Sequence, residues 1–207
     1  MFNKEVRPGD IILWSAKQKS NFLKNIIYRL QKTFDGEVRH AEMVYSYSDE
    51  LKVAKCFGSN FDGVKFRAHC IDKPYVAIIR PLTNISRVAQ SNIDRELKIM
   101  NMKGHLGYDT KGMVNAAVNS FLSTVTFGRW KKKLLFSSVS EYYCSEAVAY
   151  LCKRCYYDLV GKDVFCIEYK KGGIIPNSVV SPADLYKASK GGTKLKQAFL
   201  IVKDFEI

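Results

Sequence analysis

From residue 40 to residue 81 the chain is a succession of short apolar runs cut by polar turns, a pattern that constrains the fold more than any other in it. His40–Tyr47, Leu51–Phe57, Gly63–Arg67 and Tyr75–Arg80 each read as a strand, the last ended by Pro81. An earlier run, Ile11–Trp14, reads as a buried strand after the Pro8-Gly9 turn, and two more strands are expected near 164–169 and 197–203. Helical spacing lies outside this block. Phe22, Leu23, Ile26, Ile27 and Leu30 form one apolar face, with Lys19, Lys24, Arg29 and Lys32 on the other. Ile93, Leu97 and Met100 mark a second helix and Met113–Leu122 a third. Ala147, Val148, Leu151, Cys152 and Cys155 give a fourth, and Ser181 caps a short fifth that starts at Pro182. Helices gathered on an antiparallel sheet make an α+β fold.

The chain has 207 residues, 47% of them hydrophobic, enough for a sizeable core in one domain over 1–207. No linker-like tract or internal repeat divides it. Ile11–Trp14 is too short for the core of a signal peptide, and no apolar run approaches the roughly 20 residues that span a bilayer. A cytoplasmic location is therefore expected. Six cysteines in such a chain are expected as thiols. Cys152-Lys153-Arg154-Cys155 has the C-x-x-C form, but a metal site needs a second ligand pair, and Cys56, His69, Cys70 and Cys166 do not supply one by spacing. Both cysteines also fall on the apolar face of their helix. No metal or cofactor is implied. His69 and Cys70 are neighbours on a strand and point to opposite faces, and His105 has no neighbouring signal.

The chemistry-bearing pair is Cys144 and His40. Tyr143-Cys144-Ser145-Glu146 follows a polar loop and begins the helix whose apolar face was traced above. A thiol in the first helical turn faces unpaired N–H groups and the positive end of the helix dipole, both of which favour the thiolate. A buried structural cysteine is the bland reading of that position. His40 shifts the balance: it heads the apolar strand His-Ala-Glu-Met-Val-Tyr, after the turn-forming Asp35-Gly36. An imidazole at a strand end, facing a thiol at a helix start, can share its proton and leave an ion pair able to attack a carbonyl.

In order, Gly9-Asp10-Ile11-Ile12-Leu13, His40 on a strand, Gly63-Val64, Gly107-Tyr108-Asp109, Tyr143-Cys144-Ser145-Glu146 and Ser181-Pro182-Ala183-Asp184-Leu185 resemble the circularly permuted NlpC/P60 group of papain-like thiol hydrolases. In that group the histidine precedes the cysteine. The resemblance spans about residues 8–185, and it rests on the order of short motifs. It implies a papain-like permuted fold with an insertion at about 110–140, Cys144 as nucleophile, His40 as base, and Tyr108 as an oxyanion partner. The superfamily includes peptidoglycan endopeptidases and amidases, and relatives of the lecithin–retinol acyltransferases. The implied function is a cysteine hydrolase or acyltransferase cleaving a peptide, cell-wall amide or lipid acyl bond through an acyl-thioenzyme. A catalytically retired module that binds a lipid, peptide or partner protein is the other reading.

The residue that orients the histidine departs from the family pattern. The matching stretch Val53-Ala54-Lys55-Cys56 puts Lys55 there, and an ammonium cannot accept an imidazole N–H. Glu42 lies two residues after His40 on the same strand face, but is expected to point to a neighbouring position rather than at the ring. Ser59 or Asn60 would serve after a shift of register; a backbone carbonyl or water is the remaining substitute.

The charge points to a partner class. Lys+Arg number 33 and Asp+Glu 20, a net charge of +13 that biases the chain toward anionic surfaces. Arg129-Trp130-Lys131-Lys132-Lys133-Leu134-Leu135-Phe136 concentrates basic, aromatic and aliphatic residues between Tyr108 and Cys144. One reading is a loop at the cleft mouth that contacts an anionic membrane surface or another polyanion; a solvated lysine-rich surface is the other. No finger, helix-turn-helix or RNP-like motif accompanies the basicity, so nucleic acid is not indicated.

Overall fold

The computed structural model describes residues 5–15, 38–60, 63–82, 144–160, 167–191 and 195–206, with residues 94–96, 98–99, 114–115, 118–119, 121–122, 125–126 and 129–132. The expected helix around residues 22–30, Tyr108, His105, Lys133 and the expected strand start at 164–166 lie outside these residues.

Six strands form one antiparallel sheet: β1 (Ile11–Ser15), β2 (Val38–Ser48), β3 (Val53–Asn60), β4 (Gly63–Cys70), β5 (Val76–Pro81) and β8 (Phe199–Lys203), in the order β4-β3-β2-β1-β5-β8. All five residues of β1 are buried, as a strand with neighbours on both sides requires. Its entry is pinned at Gly9 (φ 89°) and Asp10: the Gly9 N–H donates to the Val44 carbonyl, and the Val44 N–H donates to the Asp10 carbonyl at 2.7 Å. The buried Asp10 carboxylate accepts two bonds from the Arg80 guanidinium on β5, at 2.7 and 2.8 Å. Two-residue strands β6 (Ile167–Glu168) and β7 (Ile174–Ile175) pair separately. They are too short to carry a period, and β7 has no counterpart among the strands expected from the sequence.

Alternation along the strands divides the core in two. On one face Ile11, Leu13, Met43, Phe57, Ala77 and Ile79 pack with Val148, Leu151 and Cys152 of helix α1 (Cys144–Val160) and with Leu185 and Ala188 of helix α2 (Pro182–Lys190). On the other face Ile12, Trp14, Val44, Cys56, Val76 and Ile78 cluster. Helix α2 begins as its sequence dictates: Ser181 and Asp184 form a reciprocal capping box, Pro182 opens the first turn, and Gly191 closes the helix in the left-handed region at φ 60°. Residues 94–96, 98–99, 114–115, 118–119, 121–122 and 125 are helical, within the second and third expected helices or at their edges. Among the described residues no helix is long and apolar enough to cross a membrane.

Candidate active site

His40 and Glu42 stand on the Trp14 side of the sheet, opposite Trp14 and Ile12 in the β1–β2 register. That register slips between Trp14 and Ser15, which pairs with Val38, so a bulge at Arg39 adjoins His40. Bulges bend a strand and re-aim its side chains. Here the effect corrects the expectation for Glu42: its Oε1 lies 3.0 Å from His40 Nε2, within hydrogen-bond reach of the ring. Space for this comes from β3. A Cβ on Gly58 would fall 2.4 Å from the Glu42 Cγ, so only glycine admits the carboxylate there.

Cys144 meets the histidine where the sheet opens. The β2–β3 ladder runs from Ser48↔Val53 to Met43↔Phe57, while β3 continues, paired with β4, to Asn60. Because the Val44 N–H points toward β1, the Ala41 N–H three residues earlier points toward β3. It donates to the Cys144 sulfur, which also accepts from the Ser145 N–H and hydrogen-bonds the His40 side chain. With Nε2 held by Glu42, Nδ1 is the ring nitrogen available to the thiol. The Ser145 hydroxyl donates to the Val180 carbonyl at 2.6 Å, which anchors the start of α1. Cys144 is 4% exposed, whereas the His40 side chain is 20% exposed, so solvent meets the pair from the imidazole side.

The electrostatics follow from these contacts. Burial pushes the Cys144 thiol up, but the His40 charge and the hydrogen bonds from His40, Ala41 and Ser145 outweigh it and hold the thiol below its usual range. Burial likewise opposes a charge on His40, yet Cys144 and Glu42 raise the imidazole to about 9. The Glu42 carboxyl, raised by burial and lowered more by bonds to His40 and His69, falls to about 2. At neutral pH His40 is therefore an imidazolium and Glu42 a carboxylate, and the Cys144 thiol is drawn toward its thiolate form. Such an arrangement can deliver a nucleophile and, from the imidazolium, the proton that a leaving group needs. Cys56 contrasts with this: burial, then the Glu42 charge, push its thiol up.

Lys55, on the exposed side of β3, holds its ammonium over the rings of Phe66 and Tyr45, 4.7 and 5.3 Å from the centroids. That corrects its placement beside the histidine: the bulge between Val44 and Ser46 pairs Lys55 with Ser46, away from the His40 end of β2. Ser59 is buried two residues after Phe57 and shares that residue's face, not the face of His40. Asn60 pairs with Gly63 at the end of β3. The basic segment is also corrected in part. Lys132 is 7% exposed and bonds Asp184 Oδ2 at 2.7 Å, beneath the start of α2, so its charge is spent inside the molecule. Lys131 donates to the Gly172 carbonyl at 2.8 Å, and the Trp130 indole N–H donates to Asn119 Oδ1 at 3.0 Å; Arg129 is exposed.

Three contributors escaped the sequence reading: Trp14, Arg67 and His69. His69 Nε2 lies 2.8 Å from Glu42 Oε2, Arg67 Nη1 lies 3.5 Å from Oε1, and the Trp14 ring sits 5.3 Å from the His40 ring and 4.8 Å from that of His69. Gly63, pairing with Asn60, carried the usable signal. Counting back from a hairpin closed there places Arg67 opposite Cys56 and His69 opposite Ala54, on the face of Glu42. Among the described residues no group of three or more His, Cys, Asp or Glu is arranged to hold a metal ion.

No family model, curated protein or solved structure matches the chain.

Proposed function

We propose that the chain is a cysteine-dependent hydrolase or acyltransferase of the papain-like, circularly permuted NlpC/P60 type. The observation that carries this reading is the continuous hydrogen-bonded series from Cys144 through His40 to the buried Glu42. The Cys144 thiolate attacks the carbonyl carbon of an amide or ester. The oxyanion collects beside the Cys144 N–H at the positive end of α1. His40 gives its proton to the departing amine or alkoxide as the carbon–heteroatom bond breaks, leaving a thioester on Cys144. Neutral His40 then takes a proton from water or an acceptor hydroxyl, whose oxygen attacks the thioester and restores the thiolate. Glu42 holds the ring and favours its charged form throughout. Glu42 within hydrogen-bond reach of the imidazole supports an enzyme over a catalytically retired binding module. The basic run does not favour lipid substrates, because Lys132 is buried in an ion pair; amides and esters stand level as substrates.

p-Nitrophenyl acetate tests the reading without knowledge of the natural substrate. Wild type should release a burst of p-nitrophenol and carry an acetyl group on Cys144, seen by peptide mass mapping; Cys144→Ala should do neither. Acetylation spread evenly over the cysteines, or unchanged in Cys144→Ala, would overturn it.

A further inference from the structure

Glu42 is fully buried, yet its two oxygens are divided between two histidines from different strands: Oε1 faces His40 on β2 and Oε2 faces His69 on β4. From this division we propose that His69 is a positioning residue for the Cys144–His40 pair, acting through Glu42. The inference rests on the reading of Cys144 as a reactive thiol and extends it to a fourth side chain.

A buried carboxylate seeks a donor for each oxygen, because leaving one bare costs its desolvation. His69 satisfies Oε2 at 2.8 Å and so leaves Oε1 aimed at His40. Among the described residues, the charged and titratable groups around Glu42 include His40 on its own strand, Cys56 on β3, and Arg67 and His69 on β4, with Cys144 reached through His40. Of these, Arg67 competes for the carboxylate: its Nη1 is 3.5 Å from Oε1, while its guanidinium is tethered to the Gly58 and Gly63 carbonyls. Without His69, the carboxylate turns toward Arg67 and loosens its hold on His40. The Trp14 ring lies beside both imidazoles, tilted to that of His40 and edge-on with that of His69, so the two histidines bracket the carboxylate as one unit. His69 itself touches neither the thiol nor a reacting carbonyl in this arrangement, which makes it a positioning residue.

The test reads His40 and Cys144 separately in full-length protein. The chain has three histidines, so the His40 ring can be followed by NMR through a pH titration. Iodoacetamide labelling of Cys144, read by peptide mass, gives the pH midpoint of thiolate formation. His69→Ala and His69→Leu should lower the His40 midpoint and raise that of Cys144, each by about one pH unit, the size of one lost charge-assisted hydrogen bond. His69→Gln, which keeps a donor, should restore both. Leucine fills the space beside Trp14 if alanine destabilises the fold. Unchanged midpoints in folded His69→Leu, or equal shifts in His69→Leu and His69→Gln, would overturn the proposal. Wild-type Cys144 that labels no faster than Cys152 would instead bring down the thiol-enzyme reading, whatever the His40 titration shows.

Discussion

Glu42 is the residue on which the site turns, and the one whose sequence reading changed most. Side chains two apart in a strand share a face but stand roughly 6.5–7 Å apart along it, so nothing in His-Ala-Glu by itself aims the carboxylate at the ring. The bulge beside His40 and the vacancy over Gly58 bring them together. Gly58, directly after the run Leu51–Phe57 and inside β3 as it forms, was the available hint of a close approach. Cys144 and His40 were legible, because a helix start and a strand end are local features. Gly58→Ala should therefore cost about 1–3 kcal/mol in urea unfolding, through overpacking against Glu42, and slow Cys144 labelling as well. If it is neutral in both, the close approach is wrong. Acid stability gives a second prediction. Glu42 falls from 4.5 in the unfolded chain to about 2 in the fold, so its contribution is complete above 4.5 and is lost as pH drops through about 2. The thermal midpoint of wild type should fall more steeply across that window than that of Glu42→Gln. Parallel curves would mean that Glu42 is not held as a carboxylate.

At the level of elements, apolar runs and a helix cap were the legible features. β1 to β5 were visible as apolar runs between turns, and the Ser181 cap and Pro182 announced α2. The basic run at 129–132 was not legible in the same way. A row of lysines does not reveal that one of them pairs with an aspartate 52 residues away. Burial raises the Asp184 carboxyl, and Lys132 more than compensates, so the two form a charged pair under the capping box. Removing one partner strands the other. Lys132→Ala should cost about 3–5 kcal/mol in urea unfolding, whereas Arg129→Gln, at an exposed position, should stay within about 0.5 kcal/mol. Equal effects would contradict the buried pair. By the same logic, any weakening of anionic-vesicle binding in Lys132→Gln should track lost stability rather than a lost headgroup contact.

For the whole molecule, the sheet order was the hidden quantity. Nothing local states that β1 inserts between β2 and β5, or that β8, from the far end of the chain, closes the edge beside β5. Yet this order puts Trp14, His40, Glu42 and His69 on one face, while α1 packs on the other and delivers Cys144 where β2 and β3 part. The site is thus a product of the assembled sheet rather than of any one segment. The proposed function turns on one claim: His40, an imidazolium beside Cys144, draws the thiol toward its thiolate. The rate of Cys144 alkylation by iodoacetamide, followed from about pH 4 to pH 9 in wild type and His40→Ala, tests that claim most directly. Wild type should already label near pH 6, where an ordinary thiol of pKa about 8.5 is almost wholly protonated; His40→Ala should label only as pH approaches that ordinary value. Cys144 labelling that rises only above about pH 8 in both proteins would contradict the account.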